Sequence, residues 1–334
     1  MIEDPIVGIL RDGCFHAQEQ LATALRVSLS NIEQRLQKLQ MLGLEIEVDS
    51  NLGCRLSPAI LLLDRAQILA GLPDFLRESL RTFDIHLTVD STNSEAMRYL
   101  KGGSRGKALF LAEKQEIGRG RRGRNWVSPM ARNIYMTLVW PVAGSPQTLD
   151  GVSLVTALSL ARALQDSGLK GMEKLRVKWP NDVWLDNRKL AGILLELHRP
   201  VDAGGAQQLV IGLGINVDMP SAEWTAIDQA ATDLVSHGNK GADRNKIISR
   251  VLAQLDSDLE QFMESGFACF RAQWQQLDMY YEKEVEVLTG NDKTTGTVKG
   301  VSNNGALVLQ TKSGDKMITG GEVAPSIRVA SSDS

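Results

Sequence analysis

Apolar positions recur with a helical period at several places in this 334-residue chain. In "AQEQLATAL", Leu21 and Leu25 share a face. In "LSNIEQRLQKLQMLG", Ile32, Leu36 and Leu39 stand at i, i+4 and i+7, the stripe of a helix packed on one side. Ser30 followed by Glu33 reads as a capping box and Gly43 as a stop. "LEIEV", "DSNLG" and "CRLS" then read as strand, turn and strand. Further on, "DIHLTVDSTNSEAMRYLKGG" predicts a strand and a helix, with Thr92 as N-cap and Gly102-Gly103 as the end. "KALFLAEKQ" and "NIYMTLVW" predict strands, and "DGVSLVTALSLARALQDSG" a long apolar helix stopped by Gly168. "RVKWPNDVWL", "DNR" and "KLAGILLELH" read as a β-hairpin around a polar turn, and "QQLVIGLGINV" as one more strand. Ile247, Val251, Leu255, Leu259 and Phe262 line one face of a helix in "RNKIISRVLAQLDSDLEQFMESG". From about Glu282 the chain becomes short strands and turns, with Asn304-Gly305 a strong hairpin signal, and the tail "ASSDS" is expected to fray.

These patterns predict an α+β protein in three parts. Residues 1–65, two short helices with the tight break "RVS" followed by a β-ribbon, look like a winged helix-turn-helix. Its second helix would meet DNA through Asn31, Gln34, Arg35 and Lys38. Residues 66–278 have strands in hairpins outnumbering helices, which predicts a mixed sheet with helices packed on it. Residues 279–334 look like a small SH3-like barrel.

Charge leaves the DNA reading open. The whole chain carries a formal charge of −3, and over residues 1–57 acids outnumber bases by eight to five. One copy would bind DNA weakly, because phosphate neutralisation supplies much of the affinity; a dimer would span two half-sites. A small helical packing module is the alternative. Cys14, Cys54 and Cys269 lie far apart with no CxxC pair, which disfavours a disulfide framework and a structural zinc site. The acidic start "MIEDPIVGIL" does not read as a secretory signal, and no apolar run approaches the roughly 20 residues that span a bilayer. A cytoplasmic protein without a membrane partner is expected.

The chemistry concentrates in two places. In "IGRGRRGRNWVSP", Arg119, Arg121, Arg122 and Arg124 are spaced by Gly118, Gly120 and Gly123. Glycine admits close backbone approach, and arginine grips carboxylates and phosphates with a planar fork of donors. The run suggests an anion site. By itself such a run is more often a solvated or nucleic-acid-contacting segment than a catalytic one, and it is neither a Walker A loop nor a dinucleotide fingerprint. Lys178, Asn181, Asp182 and Lys189 flank or line the hairpin. Taken singly, Lys189 could be an exposed turn lysine, Trp179-Pro180 a packed strand end, and "STN" a helix cap.

Taken together, "STN", "Q–GRGRRGR–W–SP", "KWPND", "KLAGILLE" and "GLGIN" resemble, in order and spacing, the biotin protein ligases. The two flanking parts resemble the bifunctional form that also represses the biotin operon. The resemblance implies a catalytic fold related to class II aminoacyl-tRNA synthetases. It implies a two-step reaction: biotin and ATP give biotinyl-5′-AMP and pyrophosphate, and a lysine of the biotin carboxyl-carrier protein of acetyl-CoA carboxylase takes the biotin. By the same resemblance, Ser91, Thr92, Asn93, Gln115, Arg119, Gly120, Arg121 and Lys189 would bind biotin, with Arg121 and Lys189 catalytic. Asn181, Asp182, Asn216 and Trp224 would serve ATP and the adenylate, with Asp182 also orienting Mg2+. The adenylate would act as corepressor, favouring a homodimer that binds the biotin operator. A ligase whose first module does not bind DNA is the alternative, and a lipoate or octanoate transferase a more distant one; "GRGRRGR" and "KWPND" favour biotin.

Overall fold

The structure, a computed structural model, describes residues 5–57, 61–142, 149–199 and 206–325. The tail "ASSDS" lies outside them.

In chain order, helices α1 (Pro5–Leu10), α2 (Gln18–Leu25) and α3 (Leu29–Met41) precede the antiparallel strands β1 (Ile46–Asp49) and β2 (Gly53–Leu56). Two short helices follow, α4 (Arg65–Ala70) and α5 (Asp74–Ser79). Next come β3 (Thr82–Val89), α6 (Thr92–Lys101), β4 (Ala108–Gln115), β5 (Ile134–Val142) and α7 (Val152–Gln165). The chain continues through β6 (Leu175–Lys178), β7 (Asp182–Leu185), β8 (Arg188–His198) and β9 (Gln207–Ile215) to α8 (Arg244–Ser265) and α9 (Arg271–Leu277). It ends in β10 (Glu284–Thr289), β11 (Asp292–Val301), β12 (Leu307–Thr311), β13 (Gly314–Ile318) and β14 (Glu322–Pro325). Two compact units result: Met1–Pro141 with Leu194–Arg250, and Val142–Ile193 with Val251–Ser334.

In the first unit β3 runs parallel to β4, β4 antiparallel to β5, and β9 follows β5 in the order. This is the expected mixed sheet. β4 is buried from Ala108 to Glu113, as a strand covered on both faces must be. Ala96 and Leu100 of α6 pack with Ala108, Phe110, Val139 and Val210. The amino-terminal helices do not close a core of their own. Ile6, Leu10, Leu21, Ile32, Leu36, Leu39, Cys54 and Leu56 form one cluster with Leu87 of β3, Met130 and Ala131. Burying each such aliphatic side chain contributes about 1.5–3 kcal/mol, so this continuity stabilises both partners. Polar contacts reinforce it: Lys114 Nζ donates to Leu42 O at 3.1 Å. Arg132 pairs with Glu45, just beyond α3, and with Asp218 at 2.7 Å. Beneath them Glu113 is fully buried. It accepts from Leu63 N at 2.5 Å and pairs at 2.8 Å with Arg244, which also donates to Leu61 O and Asn133 O.

In the second unit β6, β7 and β8 form an antiparallel run. The last strands form a five-stranded antiparallel sheet ordered β13-β12-β11-β10-β14. The Asn304-Gly305 turn sits against the start of α7. Gly305 has φ +80°, and a Cβ there would meet Gly151 Cα at 2.8 Å.

Several local expectations change. The cap of α3 is Ser28, whose extended backbone lets its hydroxyl accept from Asn31 N at 3.2 Å, not Ser30, which lies inside the helix. The cap of α6 is Ser91, because Thr92 already lies in the first turn and its hydroxyl is used elsewhere. "RVKWPNDVWL" is two strands, the chain reversing at residues 179–181, so the expected hairpin is a three-stranded meander. α1, α4, α5, α9 and β14 escape the pattern because each is too short to show a period.

Candidate functional site

β3 and β4 end side by side, with Val89 opposite Gln115. This parallel pairing brings the start of α6 to the end of β4. The first N–H groups of a helix have no partner within it, and Thr92 N donates to Gln115 Oε1 at 3.0 Å. The Thr92 hydroxyl lies 3.3 Å from the same oxygen. Gln115 Nε2 donates to Ser128 Oγ at 3.2 Å, which donates to Trp126 O at 3.0 Å. From β5, the Thr137 hydroxyl donates to Asn93 Oδ1 at 2.7 Å and stands 2.8 Å from Thr92 Oγ1. Ser91, Thr92, Asn93 and Thr137 are all buried. The result is a continuous set of neutral donors and acceptors in a water-poor setting, where such groups must be paired.

Two glycines of "GLGIN" make room for it. A Cβ at Gly212 would fall 2.1 Å from Asn93 Oδ1, and one at Gly214 would fall 2.4 Å from the Trp126 ring. Gly118 at the root of the arginine run is as tight, with Trp126 O at 2.4 Å from its would-be Cβ.

The arginine run folds into a small turn. Gly120 N donates to Arg124 O at 2.7 Å and Trp126 N to Gly118 O at 2.9 Å, with Arg119 opposite Asn125. At its tip Arg122 occupies the left-handed region (φ 56°, ψ 33°), followed by Gly123 at φ +74°. A non-glycine residue held there costs of order 1–3 kcal/mol, and such residues cluster at ligand clamps. Arg119, Arg122 and Arg124 are exposed and Arg121 half-buried. Arg119 Nη2 reaches Glu196 Oε2, near the end of β8, at 3.4 Å; the same oxygen accepts from Asn93 Nδ2 at 2.7 Å. At the base, Arg98 clasps Asp90 at 2.8 and 3.0 Å. Its guanidinium bonds pull the Asp90 carboxyl down to about 2.

Asn216 is buried and its amide donates to Thr232 O at 3.0 Å, bracing the segment after β9. Trp224 lies half-buried in a 3-10 turn, Ser221–Ala226. Beside it, a cleft of about 380 Å³ is lined by Lys114, Gln115, Ser128, Arg132 and Glu223, among others.

In the second unit Lys189 Nζ lies 3.0 Å from Asp182 Oδ1, with side chains 13% and 14% exposed, so Lys189 is not a free surface lysine. Asn181 Nδ2 donates to Ile193 O at 2.8 Å. The alternative reading of Trp179 holds: it is buried and its indole donates to Gly305 O at 3.0 Å. Asn31, Gln34, Arg35 and Lys38 lie on α3, where Arg35 Nε donates to Asn31 Oδ1 at 2.8 Å and Gln34 and Lys38 are exposed.

Among the described residues no group of three or more His, Cys, Asp or Glu gathers around a common point, and no helix is long and apolar enough to cross a membrane. Thr137, Ser128 and Glu196 were missed as site residues. An aliphatic hydroxyl in the apolar "NIYMTLVW" marked Thr137, and Ser128 stands in the quoted "W–SP". Glu196 carries no such signal, because its partners are more than 70 residues away.

Comparison with known proteins gives a consistent picture. The Biotin/lipoate A/B protein ligase family matches residues 88–216, and the Biotin protein ligase C terminal domain matches residues 281–324. The chain is 34% identical over 319 residues to the Bifunctional ligase/repressor BirA of Escherichia coli, covering 96% of this chain and 95% of that one. It is 35% identical over 242 residues to the Biotin--[acetyl-CoA-carboxylase] ligase of Paracoccus denitrificans, covering 70% and 96%. Among solved structures, the biotin protein ligase of Aquifex aeolicus in complex with biotin and ATP superposes with TM-score 0.60 at 28% identity, over 73% of this chain and 98% of that one.

Proposed function

Because this chain belongs to the biotin protein ligase family, we propose that it activates biotin with ATP as biotinyl-5′-AMP and passes the acyl group to a lysine of the biotin carboxyl-carrier protein of acetyl-CoA carboxylase. The observation that carries this reading is the polar set of buried Thr92, Asn93 and Thr137 with half-buried Gln115, immediately beside the arginine turn. Biotin offers an uncharged ureido ring and an anionic tail. The buried amides and hydroxyls suit the first, and guanidinium forks suit the second.

Adenylation forces a carboxylate against a polyphosphate. Fixed cations must offset that repulsion and the charge developing at the α-phosphate. We assign this to Arg119 and Arg121, with Gly120 allowing close backbone approach, and to Lys189, which lies 3.0 Å from its present partner Asp182. Ser91 completes the pocket for biotin. Asn181, Asn216 and Trp224 are assigned to the nucleotide. Mg2+ is bound by one or two carboxylates together with substrate phosphates. The carboxylate of Asp182 fits that donor set. Bound there, it would neutralise phosphate charge. Incubation with labelled biotin, ATP and a carrier domain tests the reading: label on the carrier supports it, and pyrophosphate release without carrier label would leave only the first step.

A second reading is repression of the biotin operon, which the similarity to BirA over 96% of the chain favours. In it, residues 1–65 are a winged helix-turn-helix with α3 as the reading helix, 66–278 the catalytic part, and 279–334 the SH3-like part. The adenylate acts as corepressor by favouring a homodimer on operator DNA. Operator binding only with adenylate supports it, and a monomer with and without biotin and ATP at micromolar protein counts against it. A ligase-only chain is the outcome if operator binding fails.

A further inference from the structure

Glu196 is a charged side chain placed at the end of the pocket's polar set, and the assignments above do not use it. Its Oε2 accepts from Asn93 Nδ2 at 2.7 Å and from Arg119 Nη2 at 3.4 Å. A single carboxylate oxygen thus touches both the buried floor and the arginine turn. The side chain is 32% exposed, whereas Asn93 is buried.

The two contacts have different consequences. An asparagine amide has a donor end and an acceptor end, while an ionised carboxylate can only accept. Glu196, by the shorter of two contacts (the Leu194 carbonyl also accepts from Asn93 Nδ2, at 3.4 Å), therefore holds the Asn93 amide with its NH2 outward and its carbonyl toward Thr137, 2.7 Å from that hydroxyl. The same amide lies close against Gly212, where a Cβ would fall 2.1 Å from its Oδ1. The Thr137 hydroxyl has one proton and two acceptors in reach, Asn93 Oδ1 and Thr92 Oγ1. The orientation of Asn93 thus decides how Thr92 and Gln115 are wired. The Arg119 contact acts in the opposite sense. It gives the guanidinium an internal carboxylate, which an incoming anion must displace.

Building on the proposed function, we infer that Glu196 is a positioning residue for the biotin step: it sets the polarity of the hydrogen-bonded pocket through Asn93 and holds Arg119 on an internal carboxylate until a ligand anion takes its place. The two roles are separable by substitution. Glutamine keeps an acceptor for Asn93 and loses the charge that holds Arg119. Alanine loses both.

The test is calorimetric titration of the full chain with biotin alone, at low and moderate salt, alongside thermal melting. Glu196→Ala weakens biotin binding by about tenfold or more, the size expected for a hydrogen bond to a charged group. Glu196→Gln restores wild-type affinity or exceeds it, most at low salt. In an Asn93→Ala background the Glu196→Ala effect disappears. Equal affinity in wild type and both variants overturns the inference, as does equal weakening of both with a matching loss of melting temperature, which marks a merely structural role. Absence of biotin binding by the wild type overturns the functional reading itself and is distinguished by that control.

Discussion

The buried floor around Thr92, Asn93, Gln115 and Thr137 and the arginine turn at residues 118–126 are neighbours built by opposite rules. The floor stands on strand ends, its groups are buried or half-buried and paired, and a side chain at Gly212 or Gly214 would run into Asn93 or Trp126. The turn exposes Arg119, Arg122 and Arg124, is closed by backbone hydrogen bonds between Gly120 and Arg124 and between Gly118 and Trp126, and carries a left-handed arginine at its tip. Neutral recognition works best where geometry is held in advance. Charge recognition can sit on a segment that reorganises, because Coulomb attraction tolerates small displacements better than hydrogen bonds do. The difference suggests a division of labour: the floor selects, and the turn responds.

That contrast can be broken most severely from beneath the floor. Arg244→Ala leaves Glu113 as an uncompensated buried charge on β4 and is expected to cost about 3–5 kcal/mol of stability, read by urea or thermal unfolding. Loss of under 1 kcal/mol would mean the strand is held some other way. Next in size, Gly212→Ala puts a methyl into the Asn93 amide. Overpacking of about 1–3 kcal/mol should weaken biotin by up to roughly 150-fold in a titration without ATP. On the other side of the contrast, Arg121→Gly should leave unfolding within about 0.5 kcal/mol of wild type. It should nevertheless release adenylate about tenfold faster in a chase experiment and increase labelling of bystander proteins. An equal loss of stability would erase the distinction between the two regions.

The smallest effect concerns the base they share. Asp90 is held down to about 2 by Arg98, below its ordinary value near 3.8. A lowered carboxyl contributes stability above the unfolded value, and that contribution is lost as pH falls from about 4 through 2. Both side chains are more than one-third exposed, so solvent screening limits the pair to about 1 kcal/mol or less. Arg98→Ala should therefore flatten the acid limb of a pH–stability curve slightly and leave stability at pH 7 little changed.

Much of this was legible in the chain itself, for reasons that differ by place. The face of α8 was clear because Ile247, Val251, Leu255, Leu259 and Phe262 repeat over a long helix, and all five are buried. The β-strands around "KALFLAEKQ" and "QQLVIGLGINV" were clear from apolar content. Ser28 was overlooked as a cap because Ser30 followed by Glu33 offered a competing local pattern, and nothing local says which serine adopts extended backbone. The turn inside "RVKWPNDVWL" was hidden by apolar residues on both sides of it. Glu196 was invisible for a different reason: along "LLELH" it looks like any outward-facing strand residue, and only the fold brings Asn93 and Arg119 to it. Motifs marked which groups are candidates for the chemistry. Long-range contacts, absent from any local window, decide how those groups are held.

The cluster that joins Ile6, Leu21, Leu36 and Leu39 to Leu87, Met130 and Ala131 bears on protein engineering. Cutting the chain after the β-ribbon would bare a greasy scar on the enzyme, and grafting on a foreign amino-terminal module would leave mismatched surfaces. A transplant should carry its own replacements for Met130, Ala131 and Leu87, or those positions should first be made hydrophilic.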